Sequence, residues 1–134
     1  EQAKKEGYVE TVMGRRREAF GLKSSNYMLR QATEREVMNF PLQGSAADIT
    51  KKAMLDVAPL LSKYPAKLVL QVHDELIFEY DLQGKKMDMV TDKQLLDFVR
   101  NVRQTMLSVT KLKVPLDVGI DAGQAWGSMQ PISI

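Results

Sequence analysis

His73, Asp74 and Glu75 stand together between two runs of β-forming residues, Leu68-Val69-Leu70-Gln71-Val72 and Leu76-Ile77-Phe78-Glu79-Tyr80. Branched and aromatic residues at that density predict strands buried on at least one face. So short a gap predicts that the strands pair as an antiparallel hairpin. Yet the gap holds no glycine, asparagine or proline, the residues that ease a tight turn. Two adjacent carboxylates at such a tip repel each other unless a cation relieves them. Mg²⁺ suits the position, because it prefers carboxylate oxygens and keeps waters that a phosphate-bearing substrate can replace. A hairpin also holds its tip residues more accurately than a loose loop. Asp74 and Glu75 are therefore candidate metal ligands. On these letters alone, a pair of exposed turn acids is an equally good reading.

Two further groups have side chains suited to anions or base edges. Arg15-Arg16-Arg17 is a local basic block; like charges this close favour a neighbouring anion, with a solvated surface turn as the plain alternative. Arg35, Asn39 and Gln43 recur every four residues, which stacks them on one face if the chain stays helical. A charged donor and two amides suit phosphate oxygens and base-edge acceptors in a minor groove. An ordinary wet helix face has the same composition.

With 134 residues, 44% of them hydrophobic, the chain suits one modest α+β domain with a real core. No apolar run approaches the roughly 18 residues of a membrane helix, so no membrane association is expected and the chain is read as soluble. No signal-peptide pattern opens it. The absence of cysteine excludes a disulfide scaffold and thiolate metal sites, and fits a reducing compartment. A net charge of +2 says little about partners. The first residue is Glu1, followed by charged helical residues, as expected of a piece of something longer.

The elements that must position these groups follow from periodicity and breakers. A helix is expected over 1–6, stopped by Gly7. A strand is expected over 8–12, broken by Gly14, then a short strand or loop over 15–22. Residues 26–40 read as a helix whose imperfect apolar stripe includes Met28, Leu29, Val37, Met38 and Phe40, ended or kinked by Pro41. Ser45 and Asp48 have capping-box spacing, so a second helix is expected to start there and bury Ile49, Ala53, Val57, Leu60 and Leu61. Residues 81–90 are polar, with a turn at Gly84-Lys85-Lys86. Thr91 and Gln94 again have capping-box spacing, opening a helix that buries Leu95, Val99, Val102 and Met106. A last strand is expected over 116–120, with order ending near Trp126. The sum is an antiparallel sheet with helices packed on it.

Gln71-Val72-His73-Asp74-Glu75-Leu76 resembles motif C of family A DNA polymerases. The likeness runs in order along the chain. Gly7-Tyr8-Val9-Glu10-Thr11 through Gly14-Arg15-Arg16 resembles the segment after the fingers helices of that family. Glu34-Arg35 with Asn39, Pro41, Gln43-Gly44 and Ala46-Ala47-Asp48-Ile49 is similar to the helices leading into motif C. Val114-Pro115-Leu116, Gly123 and Trp126 resemble the family's C-terminal end.

The resemblance implies a junction between fingers base and palm over 1–45 and palm over 46–134. It implies transfer of a nucleotide from a dNTP to a primer 3′-hydroxyl, assisted by two Mg²⁺ ions. Asp74 would be the metal-ligating catalytic aspartate and Glu75 its weaker acidic neighbour. His73 would lie near the primer terminus, and Arg35, Asn39 and Gln43 on the minor-groove side of the template–primer duplex. Phosphate contacts are expected of Arg15, Arg16 and Arg17. The resemblance also implies a cytoplasmic enzyme of bacterial or phage type, or an organellar one, serving DNA replication or repair. The family's other catalytic aspartate, in motif A, and its nucleotide-binding fingers helix have no counterpart within 1–134. The isolated chain is therefore expected to be inactive and to need the polymerase segment N-terminal to it, either in one polypeptide or as a split enzyme. A non-catalytic nucleic-acid-binding module and a single-subunit RNA polymerase are the competing readings, the latter disfavoured by His-Asp-Glu followed by Leu76.

Overall fold

The structure, a computed structural model, describes residues 2–88 and 91–133. It divides into two compact units, one up to Lys51 and one from Lys52 on. The expected helical residue Glu1 and loop residues Met89 and Val90 lie outside the described residues.

In the first unit, α1 (Gln2–Glu6) stops at Gly7, whose φ of +81° is open to glycine without strain. β1 (Tyr8–Glu10) pairs antiparallel with β2 (Arg16–Glu18), placing Val9 opposite Arg17. A 3₁₀ turn, Phe20–Lys23, follows. Ala3, Val9 and Ala19 form a small core against which Leu22, Val37 and Phe40 pack.

α2 (Tyr27–Leu61) then runs for 35 residues without interruption. Asn26 starts it, its side-chain oxygen accepting the N–H groups of Met28 and Leu29 at 3.0 and 3.3 Å. The expected break at Pro41 and fresh start at Ser45 do not occur. Pro41 removes one backbone donor, but tertiary bonds hold the turns beyond it. Ser45 lies inside the helix, its hydroxyl donating to the Pro41 carbonyl and accepting the Val12 N–H at 3.0 Å. Asp48 is engaged by Arg15 rather than acting in a capping box. The expected apolar stripe is also only partly used. Met28 and Met38 are 74% and 75% exposed, whereas Thr33 is buried, because the side of α2 that packs is the one meeting the Val9–Ala19 core.

The second unit is centred on Phe98 of α3 (Lys93–Leu107). It is buried with Val57, Leu95 and Val102, and its ring centroid lies 5.2, 5.9 and 5.3 Å from those of Tyr64, Phe78 and Tyr80. Such tilted and edge-on contacts add to the area buried. Val99 and Met106, expected on this side, pack around the cluster as half-buried residues. The helix is capped by Asp92, which accepts from the N–H groups of Gln94 and Leu95; Thr91, the expected cap, instead donates its hydroxyl to Asp88 at 2.6 Å. Ahead of it, a turn closed by Lys85 N–H on the Leu82 carbonyl carries Gln83 and Gly84 at positive φ.

β3 (Ala66–Val72) and β4 (Glu75–Tyr80) form the expected hairpin. The register shifts between Leu68 and Leu70, leaving Val69 as the surplus residue of a bulge. The strand expected over 116–120 is not formed. Arg103 reaches this segment instead, donating to the Val118 carbonyl at 3.1 Å and the Asp117 carboxylate at 3.0 Å, while Asp117 also accepts the Val118 N–H. These bonds satisfy groups that a ladder would otherwise use. Pairing begins at β5 (Asp121–Ala122), which meets β6 (Gln130–Pro131). Order thus continues past Trp126. The class is mixed α+β, with three two-stranded antiparallel sheets among the described residues in place of one. No described helix is long and apolar enough to cross a membrane.

Candidate functional site

Val72 pairs with Glu75, so the turn contains two residues, His73 and Asp74, and Glu75 is the first residue of β4. The three-residue gap expected from sequence is one residue shorter. Two-residue hairpin turns need a positive φ at their first central position, which glycine or asparagine ordinarily supplies. Here His73 takes it, at φ +53°, a conformation costing an ordinary residue about 1–2 kcal/mol. Gln71 offsets part of this, its side-chain amide donating to the His73 carbonyl at 2.6 Å. Sequence reasoning does not mark Gln71 as a site residue; its signals are its place at the head of the stretch that resembles motif C and an amide two positions ahead of a turn lacking glycine.

His73, Asp74 and Glu75 are all exposed. Among the described residues, no cation pairs with either carboxylate, and no group of three or more metal-ligating side chains occurs. Two adjacent, exposed carboxylates, one on a pinned turn and one at the start of β4, nonetheless fit Mg²⁺, which protein sites usually hold through one or two carboxylates while water and phosphate complete its shell.

The first unit contains a groove of about 490 Å³ lined by Arg17, Arg35, Glu36, Asn39, Phe40 and Gln43, among others. The continuity of α2 through Pro41 is what keeps Arg35, Asn39 and Gln43 on one side of the helix. Arg17 faces the same groove from β2, its guanidinium 2.8 Å from the Glu36 carboxylate.

The other two arginines of the block are used differently. Arg16 pairs with Glu10 at 2.6 Å and lies 4.3 Å above the centre of the Tyr8 ring. Arg15 donates to Asp48 Oδ1 at 2.8 Å and to the Gly44 carbonyl at 3.1 Å. The Asp48 carboxyl is held below the usual carboxylate range, first by the Thr11 hydroxyl and then by Arg15, against the opposing effect of burial. Thr11 Oγ1 accepts the N–H groups of Met13 and Arg15, which leaves its own hydrogen to face the acid. Asp48 Oδ2 is buried and receives no well-formed hydrogen bond. The structure thus gathers Arg17, Arg35, Asn39 and Gln43 in one groove, Arg15 at the helix side of a turn, and His73, Asp74 and Glu75 on a hairpin of the second unit.

The sequence matches DNA polymerase family A over residues 1–128. It is similar to DNA polymerase I of Mycobacterium leprae, at 43% identity over 96% of this chain and 13% of that protein. It is also similar to DNA polymerase I of Bacillus subtilis, at 44% identity over 94% of this chain and 13% of that protein. Among solved structures it resembles the POL domain of Pol1 from M. smegmatis in complex with DNA primer-template and dNTP. There the TM-score is 0.74 and the identity 41%, over 87% of this chain and 19% of the other. This chain accordingly spans about an eighth of the length of these curated relatives. An ordered match over nearly its whole length, at such identity, shows that the chain belongs to DNA polymerase family A.

Proposed function

We propose that this chain is part of the palm and the adjoining fingers base of a DNA-templated DNA polymerase, with the junction over 1–45 and the palm over 46–134. The reaction is attack of a primer 3′-hydroxyl on the α-phosphorus of a dNTP, releasing pyrophosphate. The carrying observation is the pair of exposed carboxylates that lack an ion-pair partner among the described residues, Asp74 on a turn pinned by Gln71 and Glu75 beside it at the start of β4. Two Mg²⁺ ions, when bound, stabilise the attacking and leaving oxygens of such an in-line displacement. Asp74 ligates metal, and Glu75 supports it or ligates in turn. His73 lies beside the primer terminus. Arg35, Asn39 and Gln43 contact the duplex from its minor-groove side, and Arg16 and Arg17 contact phosphate. The similarity to an M. smegmatis POL domain that holds primer-template and dNTP favours these partners.

One acidic pair is half of what the chemistry needs. The second aspartate and the nucleotide-binding helix come from a further polymerase segment, so the isolated chain does not extend a primer. The enzyme acts in the cytoplasm on replicating or repaired DNA.

The test is primer extension by the full-length polymerase carrying Asp74→Ala. Extension falls at least about a hundredfold, as expected when transition-state charge stabilisation is removed, while duplex binding is kept. Extension at the unaltered rate would overturn the reading and leave a non-catalytic duplex-binding module. Extension by the isolated chain with Mg²⁺ would overturn its dependence on a second segment.

A further inference from the structure

We propose that Arg15 is a positioning residue that locks the turn over 11–15 onto the stretch of α2 carrying Gln43, and affects duplex binding only through Gln43. This rests on the functional reading above, in which Gln43 touches the duplex.

Its guanidinium is committed in two directions at once, through Nε to Asp48 Oδ1 and through Nη2 to the Gly44 carbonyl, and it lies 5.1 Å from the centre of the Phe40 ring. Three consecutive turns of α2 are therefore tied by one side chain. The Asp48 side chain is only 10% exposed, and an acid so enclosed is costly to leave without its cation.

The turn that presents Arg15 is itself braced. The Thr11 N–H donates to the Arg15 carbonyl at 2.9 Å, and the Gly14 N–H to the Thr11 carbonyl at 3.0 Å. Thr11 Oγ1 accepts the Arg15 N–H at 3.1 Å. A second tie to the helix comes from Val12 N–H on Ser45 Oγ. Turn and helix are close enough that a Cβ on Gly44 would come within 2.8 Å of Thr11 Cγ2. The polar ties fall on Gly44, Ser45 and Asp48, in the two turns that follow Pro41, whose missing N–H leaves the Val37 carbonyl in the turn before it without a helical donor. Gln43 directly precedes the carbonyl that Arg15 holds.

Arg17 differs. Its one ion pair among the described residues is with Glu36, both side chains being about half exposed, at 45% and 56%; it lies 5.8 Å from the centre of the Phe40 ring and lines the groove with Arg35, Asn39 and Gln43. Within the block, phosphate contact belongs to Arg16 and Arg17, and alignment to Arg15.

The experiment measures template–primer affinity of the full-length polymerase against salt concentration for Arg15→Gln, Arg15→Lys, Arg17→Ala and Gln43→Ala. A phosphate contact contributes about one to the salt slope. Arg17→Ala is expected to flatten that slope, whereas both Arg15 variants weaken binding about fivefold with the slope unchanged and add nothing in the Gln43→Ala background. Lysine should fail as glutamine does, because an ammonium cannot span Asp48 and the Gly44 carbonyl as a planar fork does. A flatter slope in Arg15→Gln, unaltered affinity in Arg15→Lys, or losses that add to Gln43→Ala would each overturn the proposal. If Arg15→Gln does not fold, the affinity and slope of Arg15→Lys decide the matter. Failure of the polymerase reading is distinguished separately, by extension with Asp74→Ala.

Discussion

Gln71 donates its side-chain amide to the His73 carbonyl across 2.6 Å, on a hairpin whose first turn residue holds φ +53°. The bond replaces what a glycine would have provided, and it leaves the imidazole in place. Replacing Gln71 by Leu removes it while keeping the volume. The expected loss is about 0.5–1.5 kcal/mol, the net worth of one hydrogen bond, measured by urea unfolding of the chain. In the full-length polymerase the same variant should extend primers more slowly with duplex affinity unchanged.

Gly44→Ala runs against ordinary helix preference. Alanine in a helix interior is favoured over glycine by about 1 kcal/mol, but here its Cβ would meet Thr11 Cγ2 at 2.8 Å and Arg15 Nη2 at 3.3 Å. Crowding at such a contact costs about 1–3 kcal/mol. The variant should therefore unfold at lower denaturant, not higher.

Phe98→Ala should be the most damaging single truncation of the second unit, because one ring meets Tyr64, Phe78 and Tyr80 together. A cost of about 3–5 kcal/mol is expected, read from the unfolding midpoint and from the near-ultraviolet signal of the tyrosines.

Asp48 makes stability depend on pH. Its folded pKa lies below the ordinary value of 3.8, chiefly through the Thr11 hydroxyl and then Arg15. A depressed carboxyl contributes stability that is whole above the unfolded value and is lost as pH falls through the folded one. Unfolding midpoints followed from about pH 5 to about pH 2 should decline less steeply in Asp48→Asn than in the unaltered chain.

Much of this arrangement is legible in residue order because local chemistry and final structure agree. The runs on either side of His73-Asp74 are rich in branched and aromatic residues, and they pair as expected. Gly7 ends α1, and Leu95 and Val102 of α3 are buried. What is not legible depends on distant partners. Pro41 looks like a terminator until Arg15 and Val12 are seen holding the turns after it. Three successive arginines look alike, yet Asp48, Glu10 and Glu36 separate their fates. Residues 116–120 carry a strand pattern, but Arg103, 15 positions away from Val118, claims their polar groups. Gln71 is inconspicuous because its partner is a backbone carbonyl, which every residue possesses.

The surplus Val69 has a meaning for the hairpin's direction. Gln71 still faces Leu76 and Val72 still faces Glu75 beyond it, so losing that one residue would spare the pairing next to the turn. It would also remove the local coiling that a bulge imposes on its strand. A polymerase lacking Val69 would keep each acid it owns and aim them elsewhere, a defect of bearing with no change in its chemical inventory.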